Sequence, residues 1–195
     1  MAIAVAFPAA GPGARWGATM ALLKIARLGH PVLLRRAEPP PDPASPEMRR
    51  LAEDMVETML DANGLGLAAP QVHLPLRLFV VREGESGGRA LFDPVVEPLG
   101  EEAEEAWEGC LSIPGLRGLV SRPARVRWRA LDADGAPVSG EASGMAARVL
   151  QHEADHLDGV VYPMRMRDLS RLGFGEELAR AERDSARAAG EGTGR

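Results

Sequence analysis

The prolines at 31, 39, 40, 41, 43 and 46 constrain this chain before anything else does, because each lacks a backbone N–H and clashes with a preceding helical turn. No long helix can form before residue 45, and the run KIARLGHPVLLRRAEPPPDPASPE must be extended or turning. The first helix signal is Ser45-Pro46, a hydroxyl able to accept from an early helix N–H followed by a residue suited to the first helical position. Met48, Leu51, Ala52, Met55, Val56, Met59 and Leu60 then recur at helical spacing as far as Asn63-Gly64. Their methionines read as core packing rather than a binding stripe.

Downstream, residues 76–82, 90–92, 95–99 and 125–131 read as short strands broken by Gly, Pro or Asp-Gly, and antiparallel pairing is the simplest arrangement. The acid run 101–105 between them reads as a solvated loop. A second helix is expected over 141–157, carrying Met145, Val149, Leu150 and Leu157 and closed by Asp158-Gly159. A third is expected over 168–189, weakened by Gly173 and Gly175.

At 195 residues the chain suits one domain with a full core. Residues 1–19 are small, apolar and Pro/Gly-rich without the basic start of a secretory signal, so a disordered extension is expected there, with Met20 a candidate start. A catalytic domain over 20–185 and a flexible tail over 186–195 complete the division. No window has the roughly 20 apolar residues that a membrane span needs. A net charge of -5 argues against general nucleic-acid or anionic-membrane binding, and Arg122, Arg125, Arg127 and Arg129 read as the coat of a solvated strand face.

The chemistry concentrates in QHEADHLDG, 151–159. Residues four apart on a helix share a face, so His152 and His156 can offer two imidazoles to one metal, with Glu153 at the rim where it can reach a water without ligating. Neither histidine nor cysteine follows His156, leaving only scattered acids downstream. Upstream stands Cys110 in WEGCLSIPG, the single cysteine of the chain. It is either buried filler or a thiolate completing a Cys/His/His set with a fourth position open, the pattern of catalytic rather than structural sites. NGLGLAAPQV, 63–72, adds glycines that permit close backbone approach and one amide, Gln71, able to donate to a developing oxyanion; a helix-ending turn with a surface glutamine is the plain alternative.

GLGLAAPQ, EGCLS and QHEADH, in that order and at these separations, resemble the three motifs of the peptide deformylase family. The resemblance spans about residues 22–166, and KIARLGHPVLLRRA is similar to that family's amino-terminal strand. It implies an α+β fold: short antiparallel and mixed strands around a central metal-binding helix, with a C-terminal helix. It also implies one divalent ion on Cys110, His152 and His156, natively Fe(II), with nickel, cobalt or zinc able to substitute.

The implied reaction removes the formyl group from the amino-terminal formyl-methionine of new polypeptides and releases formate. Glu153 would act as general base and acid, and the Gln71 amide with the Leu111 backbone N–H would hold the oxyanion. Leu65, Leu111, Arg117, Val149 and His152 are candidates for the methionine pocket, and the peptide would lie as an added strand between the Gly66 and Gly115 segments, past Gly109. Arg148 is expected to brace the motif helix by ion pairing, and His30 and His73 to be structural or exposed. The run GVVYPMRMRDLSRLGFGEEL is similar to deformylases of the organellar branch and related bacterial ones, and a bacterial cytoplasmic setting is expected over an organellar one. Expected partners are formyl-methionyl nascent chains and, transiently, the ribosome, without specific DNA or RNA binding. A zinc-type endopeptidase and a catalytically silent binder of formylated ends are the rival readings.

Overall fold

The computed structural model describes residues 21–191, so the expected extension 1–19 and the last four residues of the expected tail lie outside the described residues. The first helix, α1 (Pro46–Asp61), starts where the sequence places it: Ser45 Oγ accepts from the Met48 N–H at 3.3 Å, and Pro46 opens the first turn. It ends at Asp61, and Asn63 just beyond adopts a left-handed φ of 53°.

A five-stranded antiparallel sheet forms the centre, built from β1 (Gly66–Ala68), β2 (Leu78–Glu83), β3 (Gly87–Pro98), β6 (Arg125–Leu131) and β7 (Pro137–Ser143) in that spatial order. A second sheet joins β4 (Ala103–Cys110), β5 (Ile113–Pro123) and β8 (Leu172–Phe174). The remaining helices are α2 (Gly144–Leu157) and α3 (Gly175–Glu191). The run LFVV of β2 is apolar at every position because both faces of that strand are covered. Leu78 and Val80 pack with Met55 and Met59 of α1, whereas Phe79 and Val81 pack with Ala147, Leu150 and Leu157 of α2. That two-sided burial seats α2, the motif helix, against the middle of the sheet. The fold is α+β, as the sequence implies; a parallel contact appears in the lone bridge between Glu38 and Leu76.

Several local expectations change. The two expected strands 90–92 and 95–99 are one, which ends at Pro98, because a bulge with Asp93 at φ 44° absorbs Pro94 without ending the pairing. The acid run is not a loop throughout: β4 begins at Ala103 and pairs with β5 from Ala103↔Pro123 onward, so Glu104 and Glu105 keep solvated side chains on a bonded backbone. The second helix starts at Gly144, since residues 137–143 are claimed by pairing with β6, from Leu131↔Pro137 to Arg125↔Ser143. The third starts at Gly175, after a 3-10 turn (Leu169–Arg171) and β8, and it runs through Glu191, past the point where the tail was expected. The segment similar to a deformylase amino-terminal strand forms no strand at residues 21–30; it docks through single bonds, Ala26 N–H to Gln71 O and Leu28 N–H to Ser112 O. Arg125, Arg127 and Arg129 do line a solvated face of β6, but Arg122 is buried on β5. His30 caps a 3-10 turn by accepting from the Val32 N–H, and His73 packs edge-on against it, 4.6 Å between ring centroids.

The turn after α2 needs glycine. Gly159 has φ +74°, and a Cβ there would stand 2.8 Å from the backbone carbon of Leu34. Gly159→Ala should therefore lower unfolding free energy by more than about 1 kcal/mol, read as a shifted urea midpoint at unchanged m-value.

Candidate metal centre and substrate cavity

Cys110 reaches the centre because of a hairpin. It closes the β4–β5 turn opposite Ile113, after a register shift at Gly109, and Leu111-Ser112 form the tip. From the other side α2 presents His152 and His156 one turn apart, ring centroids 5.0 Å from each other at 78°. One ligand atom from each of Cys110, His152 and His156 lies within 4.8 Å of the others, and Cys110 Sγ stands 3.2 Å from His156 Nε2.

The imidazoles are oriented by different means. His152 Nδ1 meets Glu108 Oε2 at 2.9 Å, which turns the opposite ring nitrogen toward the sulfur, while His156 is 1 % exposed and its Nδ1 has no partner. Burial pulls the His152 imidazole down, but its hydrogen bonds with Cys110 and Glu108 outweigh it and raise the ring to about 10, while burial and the charge of His152 hold His156 well below its ordinary value. A sulfur with two imidazoles and an open side suits a catalytic transition metal.

Glu153 lies on the cavity floor. Burial pushes its carboxyl up to about 7, and Oε2 has no hydrogen-bond partner. Gly66 is glycine for this reason: a Cβ at 66 would fall on the Glu153 carboxylate. Gln71 is 1 % exposed and pinned at both ends, Oε1 accepting from the Ala68 N–H at 2.8 Å and Nε2 donating to Ser112 Oγ at 3.2 Å and Cys110 Sγ at 3.4 Å. It is no surface residue.

A cavity of about 650 Å³ opens over these groups. Leu65, Gly66, Gly109, Leu111, Gly115 and Arg117 line it, as do Val149, Gln71, Cys110, His152 and Glu153; His156 lies behind the wall. Every site residue singled out in the sequence is therefore at this centre. Residues that the sequence reading left out also border it, among them Ile25, Arg27, Asn63, Trp107 and Met145.

The largest omission is the charge network behind His152. Glu108 Oε1 accepts from Arg122 Nε at 2.6 Å and Arg148 at 2.7 Å, and Oε2 accepts from Arg122 at 2.9 Å. Arg122 continues to Asp155, which also binds Arg165. Burial alone would raise the Glu108 carboxyl, yet His152 and Arg122 hold it at about 2. Arg148 also donates to the Val120 and Glu104 carbonyls, so it braces α2 against β4 and β5. Nothing in the spacing of these residues signals their meeting, since 44 positions separate Glu108 from His152.

Comparison with known proteins agrees with this centre. The polypeptide deformylase family model matches residues 22–172. The chain belongs to the peptide deformylase family. It is 47% identical to peptide deformylase 1 of Bordetella pertussis over 164 residues, 79% of this chain and 93% of that protein. It is 43% identical to peptide deformylase 1 of Prochlorococcus marinus over 173 residues, 83% of this chain and 90% of the relative. Among solved structures, the Thermotoga maritima peptide deformylase superposes with a TM-score of 0.72 at 37% identity, covering 76% of this chain and 99% of that one. The Met-Ala-Ser-bound enzyme of Acinetobacter baumannii does so with 0.71 at 31% identity, covering 76% and 100%. Deformylases are metal-dependent hydrolases that act on formylated amino termini of nascent peptides, and this chain is a hydrolase of that family. Among the described residues no helix is long and apolar enough to cross a membrane.

Glu108→Gln removes the charge shared by two buried guanidinium groups and His152. It should lower unfolding free energy by about 3 kcal/mol or more, and weaken metal binding by about tenfold to a hundredfold, checked by denaturant titration and by metal content after competition with a chelator.

Proposed function

We propose that Cys110, His152 and His156 hold one divalent ion, natively Fe(II), and that Glu153 carries the proton transfers of deformylation at this centre. The observation that carries the reading is the convergence of the three ligand atoms beside a buried carboxylate that has an oxygen to spare. An ion bound there supplies Lewis acidity toward water and the formyl oxygen. The chain's own residues do the rest.

Glu153 accepts a proton as the water oxygen bonds to the formyl carbon, then delivers it to the amine nitrogen as the C–N bond breaks, leaving formate and a free amino terminus. Gln71 turns one amide hydrogen from Cys110 or Ser112 to the developing oxyanion, with the Leu111 N–H beside it. Gly66, Gly109 and Gly115 leave room for the peptide main chain, Leu65, Leu111 and Val149 supply apolar surface for the methionine side chain, and Arg117 sits at the rim. The bacterial relatives support a bacterial cytoplasmic enzyme working on nascent chains. On α3, Glu176, Glu177, Glu182 and Asp184 offset Arg180, Arg183 and Arg187, so any ribosome contact is transient and does not rest on a basic helix.

Protein prepared anaerobically with Fe(II) should release formate from formyl-Met-Ala-Ser and leave internal peptide bonds intact; cleavage of unformylated peptides at a comparable rate would overturn the assignment in favour of an endopeptidase. Glu153→Gln should lower kcat by about a hundredfold to ten-thousandfold with metal content unchanged. In Gln71→Ala, turnover should fall by about a hundredfold or more while the circular dichroism spectrum stays that of the parent.

A further inference from the structure

One wall of the cavity is built by residues outside all three motifs. β8 pairs with β5, setting Phe174 opposite Leu116 and Gly173 opposite Arg117, and both Leu116 and Arg117 line the cavity. The Phe174 ring lies 3.4 Å from where a Cβ on Gly115 would stand, and Gly115 also lines the cavity. Immediately before β8, the Arg171 guanidinium sits 5.7 Å from the centroid of the Trp107 ring, and Trp107 borders the cavity from β4. The strap 171–174 therefore touches both long strands of the second sheet at the cavity mouth. Yet Phe174 remains 54 % exposed. The exposed ring stands at the rim of the cavity, beside Gly115 and opposite Leu116 of its lining.

Distance says which substrate residues reach it. Trp107 precedes Cys110 by three residues on β4, and Leu116 follows Ile113, the pairing partner of Cys110, by three on β5. At roughly 3.3 Å per residue Trp107 lies about 10 Å along β4 from the ligating sulfur, while the irregular register that sets Gly118 opposite Glu108 keeps Leu116 nearer to it. A peptide extended from a formyl carbon at that centre covers the same distance in about three residues.

We propose that Phe174, Leu116 and the Arg171–Trp107 pair form a docking surface for the fourth and fifth residues of the formylated chain, favouring apolar or aromatic side chains there. This rests on the deformylase reading and extends it from the formyl-methionine end to the following segment of the substrate. A tripeptide barely reaches the surface; a longer nascent chain lies across it.

The test compares two pentapeptides, formyl-Met-Ala-Ser-Phe-Leu and formyl-Met-Ala-Ser-Ser-Ser, with formyl-Met-Ala-Ser as reference. The parent protein should prefer the Phe-Leu peptide over the Ser-Ser one by roughly twofold to tenfold in kcat/KM, through KM at equal kcat. Phe174→Ser should erase that preference and leave the tripeptide unchanged, and Phe174→Leu should keep most of it. Equal kcat/KM for both pentapeptides in the parent, survival of the preference in Phe174→Ser, or an equal loss on tripeptide and pentapeptide would each overturn the proposal. Absence of formate from the tripeptide would instead overturn the deformylase reading.

Discussion

Glu108 is buried between two guanidinium groups and an imidazole, and the arrangement of the centre depends on that carboxylate. Taking the charge out of water costs several kcal/mol, which only close, hydrogen-bonded countercharges can offset. Arg122 supplies one from β5 and Arg148 the other from α2, so the same atoms that stabilise the anion tie the second sheet to the motif helix. Cys110 stands two residues farther along β4 and His152 one turn beyond Arg148. Docking the anion thereby brings sulfur and imidazoles together and fixes which nitrogen of His152 faces the sulfur.

Around this anchor the backbone is kept bare where chemistry needs space. Gly66 leaves room for the Glu153 carboxylate, and Gly109 does so for the Arg117 side chain. Gln71 shows the complementary tactic: its oxygen is held by the Ala68 N–H, so its amide nitrogen is aimed toward the sulfur. A group pinned in this way has only one amide hydrogen to redirect when negative charge develops beside it.

The legible parts of the chain were those whose local pattern has a single structural meaning. Ser45-Pro46 and the stripe from Met48 to Leu60 predict α1 because cap chemistry and helical period are local properties. β4 was illegible, since Glu104 and Glu105 on an edge strand look like loop residues until β5 bonds to them. The bulge at Asp93 hid the continuity of β3, as proline ordinarily ends a strand. Arg122 looked like its neighbours Arg125, Arg127 and Arg129, yet only the first meets buried acids.

By itself the sequence determined the helix carrying His152, Glu153 and His156 and the lone thiol able to join them, because spacing on a helix and residue type are properties of the linear chain, whereas the glycine and glutamine segment joined them only through the family resemblance. Tertiary structure alone decided that Glu108, 44 residues from His152, orients its ring, that Arg122 and Arg148 neutralise that acid, and that β8 walls the cavity. Those contacts join segments distant along the chain through burial and charge pairing, and no local pattern of residues encodes a partner that far away.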